Sequence, residues 1–342
     1  MPTTPATPAT PSGNPSARAR TRPWDVHRLP RADGRTFLVT GGNAGIGYFT
    51  AEQLAGTGAT VVLGSRDAAK ARAAMASIRS RVPGARLRHL PLDLADPASV
   101  RDAAAVLGPD PLDAVVLNAG VLLDRPQRHE TAQGHELMFA TNHLGHFALV
   151  ARLAPLLRAA AASRVVTTGS FAARSERLDL DDLQCLRDYR PKRTYGRSKL
   201  AQMLFGFELD RRLRAAGSGT LSVVVHPGGA LDSLTPDRPP VHARTTGERL
   251  RGLPAGLLLQ GKEAAARPAV RAVLDPAVEG GQLWGPRVFG LRGRPKPEAV
   301  RPHLADPAVA ARLWEISCEL TGSDPASGLV RAATGGRPPA AS

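Results

Sequence analysis

The chain has little sulfur and few aromatic rings. Two cysteines, Cys185 and Cys318, are too few for a disulfide scaffold and are expected to stay reduced. Aromatic residues make up 4%, so the core must be built from Ala, Val and Leu. No apolar run is long enough to cross a bilayer. The N-terminal stretch "MPTTPATPATPSGNPSARAR" holds no apolar segment of the secretory kind, and a cytoplasmic location is expected. Zinc-finger spacings and aromatic RNA-binding motifs are also missing. The net charge of +15 is mostly arginine spread along the chain, which reads as a solvated basic surface and not as a nucleic-acid footprint. No nucleic-acid partner and no metal are expected.

What is present is a regular alternation. The runs "TFLVTGG", "ATVVLGSR", "RLRHLPLD", "DAVVLNAG", "SRVVTTGS" and "TLSVVVHPG" are short and apolar without strict alternation, as strands covered on both faces should be. Segments such as "AAKARAAMASIRSRV" and "SKLAQMLFGFELDRRLRAAG" carry helical periodicity between them. This predicts an α/β, doubly wound, Rossmann-type parallel sheet of about seven strands in a single domain, with "GQLWGP" as a weaker seventh strand. Residues 1–22 read as a disordered Pro/Thr/Ala-rich tail, 23–322 as the domain, and 323–342 as a flexible tail. One or two short helices are expected across 232–280, and the substrate loop across about 229–265.

The stretch "TGGNAGIG", Thr40 to Gly47, closes the first strand and opens the first helix. In that context Gly41, Gly45 and Gly47 let the backbone approach a pyrophosphate at the helix N-terminus, with Asn43 and Ile46 in the same loop. At the end of the second strand Ser65 stands where an acidic residue would bind the ribose of NAD, and Arg66 follows, suited to the 2′-phosphate of NADP. Asp67 behind it is an N-cap candidate. Asp93 ends the third strand, either to accept from an adenine amino group beside the Leu94 N–H or to cap the next helix, where Asp96 before Pro97 is the stronger cap. Tyr195 and Lys199 lie one helical turn apart in "YGRSK". His143 and His146 have a ligand-like spacing but no third partner, and read as structural.

Together, "TGGNAGIG", "DL" at 93–94, "NAG" at 118–120, Asn142, Ser170, "YGRSK" and "HPG" at 226–228 resemble the short-chain dehydrogenase/reductase family, single-domain branch, over about Trp24 to Gly322. "SR" at 65–66, the insertion between Ser170 and Tyr195, and "LWEISCELTG" make the chain most similar to retinol-dehydrogenase-like and protochlorophyllide-reductase-like members. The resemblance implies hydride transfer between NADP(H), preferred over NAD(H), and a small carbonyl or alcohol substrate of apolar character. It implies Tyr195 as general acid/base, Lys199 lowering its pKa and holding the nicotinamide ribose, Ser170 at the substrate oxygen, and Asn142 holding a relay water. It places Asn118, Ala119, Gly120, Pro227 and Gly228 near the coenzyme, with His226 there through its backbone.

The chain departs from the family where a threonine is usual after "PG". The slot holds Asp232, either beside the nicotinamide or as the cap of a short helix near Ser233, with Ser233 or Thr235 as substitutes if the loop shifts. Alternatives to the enzyme are an NADP(H)-sensing regulator on the same fold, or a nucleotide-sugar epimerase or dehydratase. Homodimeric or homotetrameric assembly stays open.

Overall fold

A computed structural model describes residues 24–330. The expected N-terminal tail, 1–22, lies outside them. Strand β1 (Thr36–Thr40) leads into α1 (Gly45–Ala55), β2 (Thr60–Ser65), α2 (Ala68–Arg81), β3 (Arg86–Pro91), α3 (Pro97–Leu107) and β4 (Ala114–Leu117). The second half runs through α4 (Leu137–Phe139), a π-helical segment (Ala140–Leu144), α5 (Gly145–Ala159), β5 (Arg164–Thr168), α6 (Pro191–Ala215) and β6 (Leu221–Val225). There follow β7 (Ala230–Leu231), α7 (Thr246–Gly252), β8 (Gln260–Gly261), α8 (Lys262–Ala265) and α9 (Arg267–Leu274). Last come β9 (Leu283–Val288), β10 (Arg292–Glu298), α10 (Pro307–Thr321) and α11 (Pro325–Leu329).

The main sheet has eight strands in the order β10-β9-β6-β5-β4-β1-β2-β3, one more than the sequence suggested. All pairings are parallel except β10 with β9. The extra strand, "RGRPKPE", has no strand-like sequence. It pairs only with β9 at the sheet edge, where Pro295 and Pro297 need no second partner for the N–H groups they lack. The central strands are apolar because helices cover both faces. Residues of α1, α2 and α9 pack one side in a single, mostly aliphatic cluster that includes Tyr48 and Phe49, and those of α3, α5, α6 and α10 pack the other. Phe147, Phe205 and Trp314 form the aromatic centre of that second layer, with ring centroids 4.9–5.7 Å apart.

Two expectations need correction. The segment 232–280 holds three helices and a 3-10 turn at Leu253–Leu257, not one or two short helices. The packed domain also continues past Gly322. Asp324 caps α11 through Ala326 N, and buried Ala326 and Leu329 join the core against α5. A five-residue helix gives too little periodicity to be read in advance, and its stability comes from that packing.

Candidate active site

The carboxyl ends of β1, β2, β3 and β4 open on a cleft of about 510 Å³. Gly41, Asn43, Gly45, Ile46, Ser65, Arg66, Asp93, Leu94, Asn118, Ala119 and Gly120 all line it. Gly45 has φ +57 and open space where a Cβ would stand, so backbone faces the cleft there. Gly47 lies behind the loop. A Cβ on it would collide with Gly41 O and the Asn118 side chain, so its work is close helix–strand packing. The N-cap of α1, Ala44, offers no side-chain acceptor, which leaves first-turn N–H groups free to meet an anion.

One end of the cleft carries charges of both signs. Arg66 and Lys70 both line it. Asp67 lines it as well, capping α2 by accepting from Lys70 N at 2.9 Å and lying 3.7 Å from Lys70 Nζ. Ser65 Oγ sits 3.2 Å from His89 Nε2. Asp93 accepts from Ala95 N at 2.9 Å, closing a local turn, and lies 3.8 Å from the Arg66 guanidinium. Asp96 caps α3 through Ala98 N, as its position before Pro97 implied. Lys70 and Lys262 were not singled out in the sequence. Lys70 stands one turn after Arg66, a readable signal, whereas Lys262 arrives from α8 by tertiary contact alone.

Tyr195 enters early in α6, and its half-buried phenol lies beside Ser170, the residue that caps the turn after β5. Burial pushes the phenol's pKa up, and the neighbouring Ser170 hydroxyl opposes that. Lys199 is fully buried, and loss of hydration lowers its pKa to about 7. Its ammonium bonds Thr168 O at 2.6 Å and Gln202 Oε1, and neither partner is Tyr195. The expected electrostatic help from lysine to phenol is therefore not a direct contact here. Gln202 was missed in the sequence, although it shares the inner face of α6 with Lys199 at i+3.

Asn142 lies in the π-helical segment, fully buried. Its Nδ2 donates to Val121 O at 3.1 Å and Ser198 Oγ at 2.9 Å, and its Oδ1 accepts from Val121 N at 2.8 Å. Both amide hydrogens are committed, so the side chain clamps the strand exit beside Gly120. His146 Nδ1 lies 3.0 Å from Asn142 O, and its Nε2 lies 2.9 Å from Thr40 Oγ1. Thr40 Oγ1 in turn accepts from Asn118 N and Ala119 N, each at 2.9 Å. His143 bonds Ser317 instead. The two histidines thus face separate partners, and burial lowers both pKa values to about 3.

The loop after β6 departs most from expectation. Pro227 O accepts from Gln260 Nε2 at 2.9 Å, and Gly228 has φ +73 beneath Leu291 O, so both tie the loop to β8 and to the β9–β10 turn. Pro227, Gly228 and Asp232 do not line the cleft. No helix begins near Ser233, so Asp232 is not a helix cap. Burial works against its charge, but bonding to Lys262 and to Arg244 wins and holds it below the usual carboxylate range. Thr235 is spent on Leu231 O and Lys262 N. His226 acts through its side chain as well as its backbone, 3.1 Å from Glu298 and 3.3 Å from Arg174.

A glycine-cradled cleft at the carboxyl edge of a parallel sheet, beside a serine–tyrosine pair and a buried lysine, defines a dinucleotide-binding oxidoreductase of the single-domain type. Residues 35–179 match the short chain dehydrogenase family model. Human retinol dehydrogenase 13 is 37% identical over 292 residues, 84% of this chain and 85% of that protein. Polyprenol dehydrogenase of Mus musculus is 38% identical over 303 residues, 86% of each. The crystal structure of an uncharacterized protein from Mycobacterium Paratuberculosis superposes with a TM-score of 0.71 at 35% identity, covering 88% of this chain and 98% of that one. The chain belongs to the short-chain dehydrogenase family, retinol-dehydrogenase-like in type, and is an oxidoreductase acting on CH–OH or C=O groups. The family binds nicotinamide coenzymes. Among the described residues no helix is long and apolar enough to cross a membrane.

Proposed function

We propose that the chain is an NADP(H)-dependent alcohol dehydrogenase or carbonyl reductase in which Tyr195 moves the proton. The observation that carries this reading is the Tyr195 phenol set beside Ser170, one helical turn from the buried Lys199. The bound nicotinamide supplies or accepts the hydride. Tyr195 gives a proton to the substrate oxygen in reduction and takes it back in oxidation. Ser170, beside that phenol, donates to the same oxygen as charge develops on it. Lys199 moves its ammonium from Gln202 towards the phenolate and the ribose hydroxyls. Asn142 is a positioning residue that keeps Gly120 and Val121 in place. Retention of serine, tyrosine and lysine together disfavours a coenzyme-sensing regulator, and the glycine spacing of Gly41, Gly45 and Gly47 disfavours a nucleotide-sugar epimerase or dehydratase.

Preference for NADP(H) is supported by Arg66 and Lys70 at one end of the cleft and by Ser65 in place of a carboxylate. The exposed Arg66–Asp93 pair is worth about 0–1 kcal/mol and yields to a phosphate. The names of the two relatives support a long apolar alcohol, or its aldehyde or ketone, as substrate class. Both cysteines are free, which supports a cytoplasmic setting. The test is an NADPH-oxidation screen over apolar aldehydes, ketones and quinones, with Arg66→Ala alongside. Turnover with at least one apolar carbonyl is expected, and Arg66→Ala should weaken NADPH by about tenfold or more while sparing NADH. Equal losses for both coenzymes refute the preference, and an absence of turnover with bound NADPH refutes the enzyme.

A further inference from the structure

The β9–β10 turn holds a residue that its backbone does not favour. Leu291 N bonds Val288 O at 2.8 Å, and both intervening residues have positive φ, Phe289 at 52° and Gly290 at 68°. Asparagine is the usual choice at the first of these positions, and a bulky ring there is strained. The strain does not bury the ring, since Phe289 is 81% exposed. An unfavourable turn that displays a phenyl ring to solvent is the kind of outlier that marks a working surface.

A second group of apolar side chains sits beside it. Leu250, Leu253, Leu257 and Leu258 are exposed, Leu257 at 78%. Arg292, three residues after Phe289, donates to both Gly256 O and Leu257 O, which ties the hairpin tip to this segment. The surroundings are basic. Arg251, Arg287, Arg294 and Lys296 are exposed, and among the described residues none forms a close ion pair, although Arg251 and Lys296 lie near Glu248 and Glu298. The nearby acids are occupied, Glu248 by the Thr245 capping box and Glu298 by Arg174 and His226.

We propose that this face, the Val288–Phe289 tip with the leucines of 250–258, docks on an anionic phospholipid bilayer. Apolar tips on two tied loops, rimmed by unpaired cations, match the layering of a bilayer surface, with phosphates outside and acyl chains beneath. The fold also gives the face an orientation. β9 runs parallel to β6, so the hairpin tip projects from the carboxyl edge of the sheet, the edge onto which the coenzyme cleft opens. A substrate dissolved in lipid would reach that edge without crossing water. The docking itself is independent of the hydride-transfer reading, because it can be measured without coenzyme or substrate.

The experiment is co-sedimentation of the full chain with vesicles of phosphatidylcholine, with or without phosphatidylglycerol, at low and high salt. Binding only to the anionic vesicles, weakened by salt, is expected. Leu257→Glu/Phe289→Glu and Arg251→Gln/Arg287→Gln/Arg294→Gln should each reduce it at least about tenfold with unchanged melting curves. Phe289→Trp should show blue-shifted emission on vesicle addition. Three results overturn the proposal: no binding by the parent, variants that bind as the parent does, or a solution dimer that Leu257→Glu/Phe289→Glu dissolves, which would assign the face to a second copy of the chain.

Discussion

Tyr195 and Lys199 present opposite problems to the same interior. Burial raises the pKa of the phenol and lowers that of the ammonium to about 7, so each is held towards its neutral form. A phenolate and an ammonium formed together relieve one another. For carbonyl reduction, Lys199 must carry its proton when Tyr195 releases its own. The kcat/KM for reduction should therefore fall as pH rises through about 7. Tyr195→Phe should lose roughly 10²–10⁴-fold in kcat with NADPH affinity kept, because the ring packing survives and only the proton donor goes. Gln202→Leu removes the side-chain acceptor of the ammonium. It should move the pH limb to lower pH without abolishing turnover, an effect that a purely structural glutamine would not produce. Near-normal turnover in Tyr195→Phe, or an unmoved limb in Gln202→Leu, would contradict these assignments.

At the scale of elements, α1 is held to the substrate loop by one buried ion pair. Arg238 Nε lies 2.6 Å from Glu52 Oε2 and its Nη2 lies 2.9 Å from Oε1, with Glu263 on α8 at 3.3 Å. Tyr48 also donates to Glu52, at 3.1 Å. Arg238→Leu leaves that carboxylate buried with fewer partners, and should cost about 3 kcal/mol in a denaturant titration. Adding Glu52→Gln should recover much of the loss, and a double variant as unstable as the single one would show that the charge is not responsible. None of this was legible in the sequence, since Glu52 and Arg238 are far apart and each looks like a surface residue. The strands β1 to β6 and the glycine loop were legible because helices on both faces demand unbroken apolar runs, and because Gly41 to Gly47 encode a turn locally. β10 was not, because an edge strand is held by backbone pairing and tolerates Arg, Lys and Pro. The ion pairs of Asp232 were not legible for a similar reason. Its partners, Lys262 and Arg244, come to it only in the folded loop.

At the scale of the molecule, α10 crosses α5 and α6 and closes the second layer over the π-helical segment. His143 ends in that closed space, bonded to Ser317 of α10 through Nε2 and ringed by Phe139, Phe147 and Phe205, while its Nδ1 has no partner. Burial, and then the neighbouring His146, lowers its pKa to about 3. In the unfolded chain it titrates near 6.5. Between these values the unfolded state binds the proton that the folded state refuses, so stability is complete above about pH 6.5 and declines as pH falls towards 3. The slope approaches about 1.4 kcal/mol per pH unit for one such group. His146 adds a similar term, because burial lowers its pKa to about 3 as well. Unfolding free energy should therefore drop by about 3–4 kcal/mol between pH 7 and pH 5. Glu136 works the other way, since burial raises its pKa, but its contribution is common to parent and variant. His143→Gln keeps a side chain able to reach Ser317 and removes the titration. Urea titrations at the two pH values should show it losing about half as much stability as the parent between pH 7 and pH 5, whatever its stability at pH 7. Parallel losses in parent and variant would mean that His143 gains a proton without opening the layer that α10 closes.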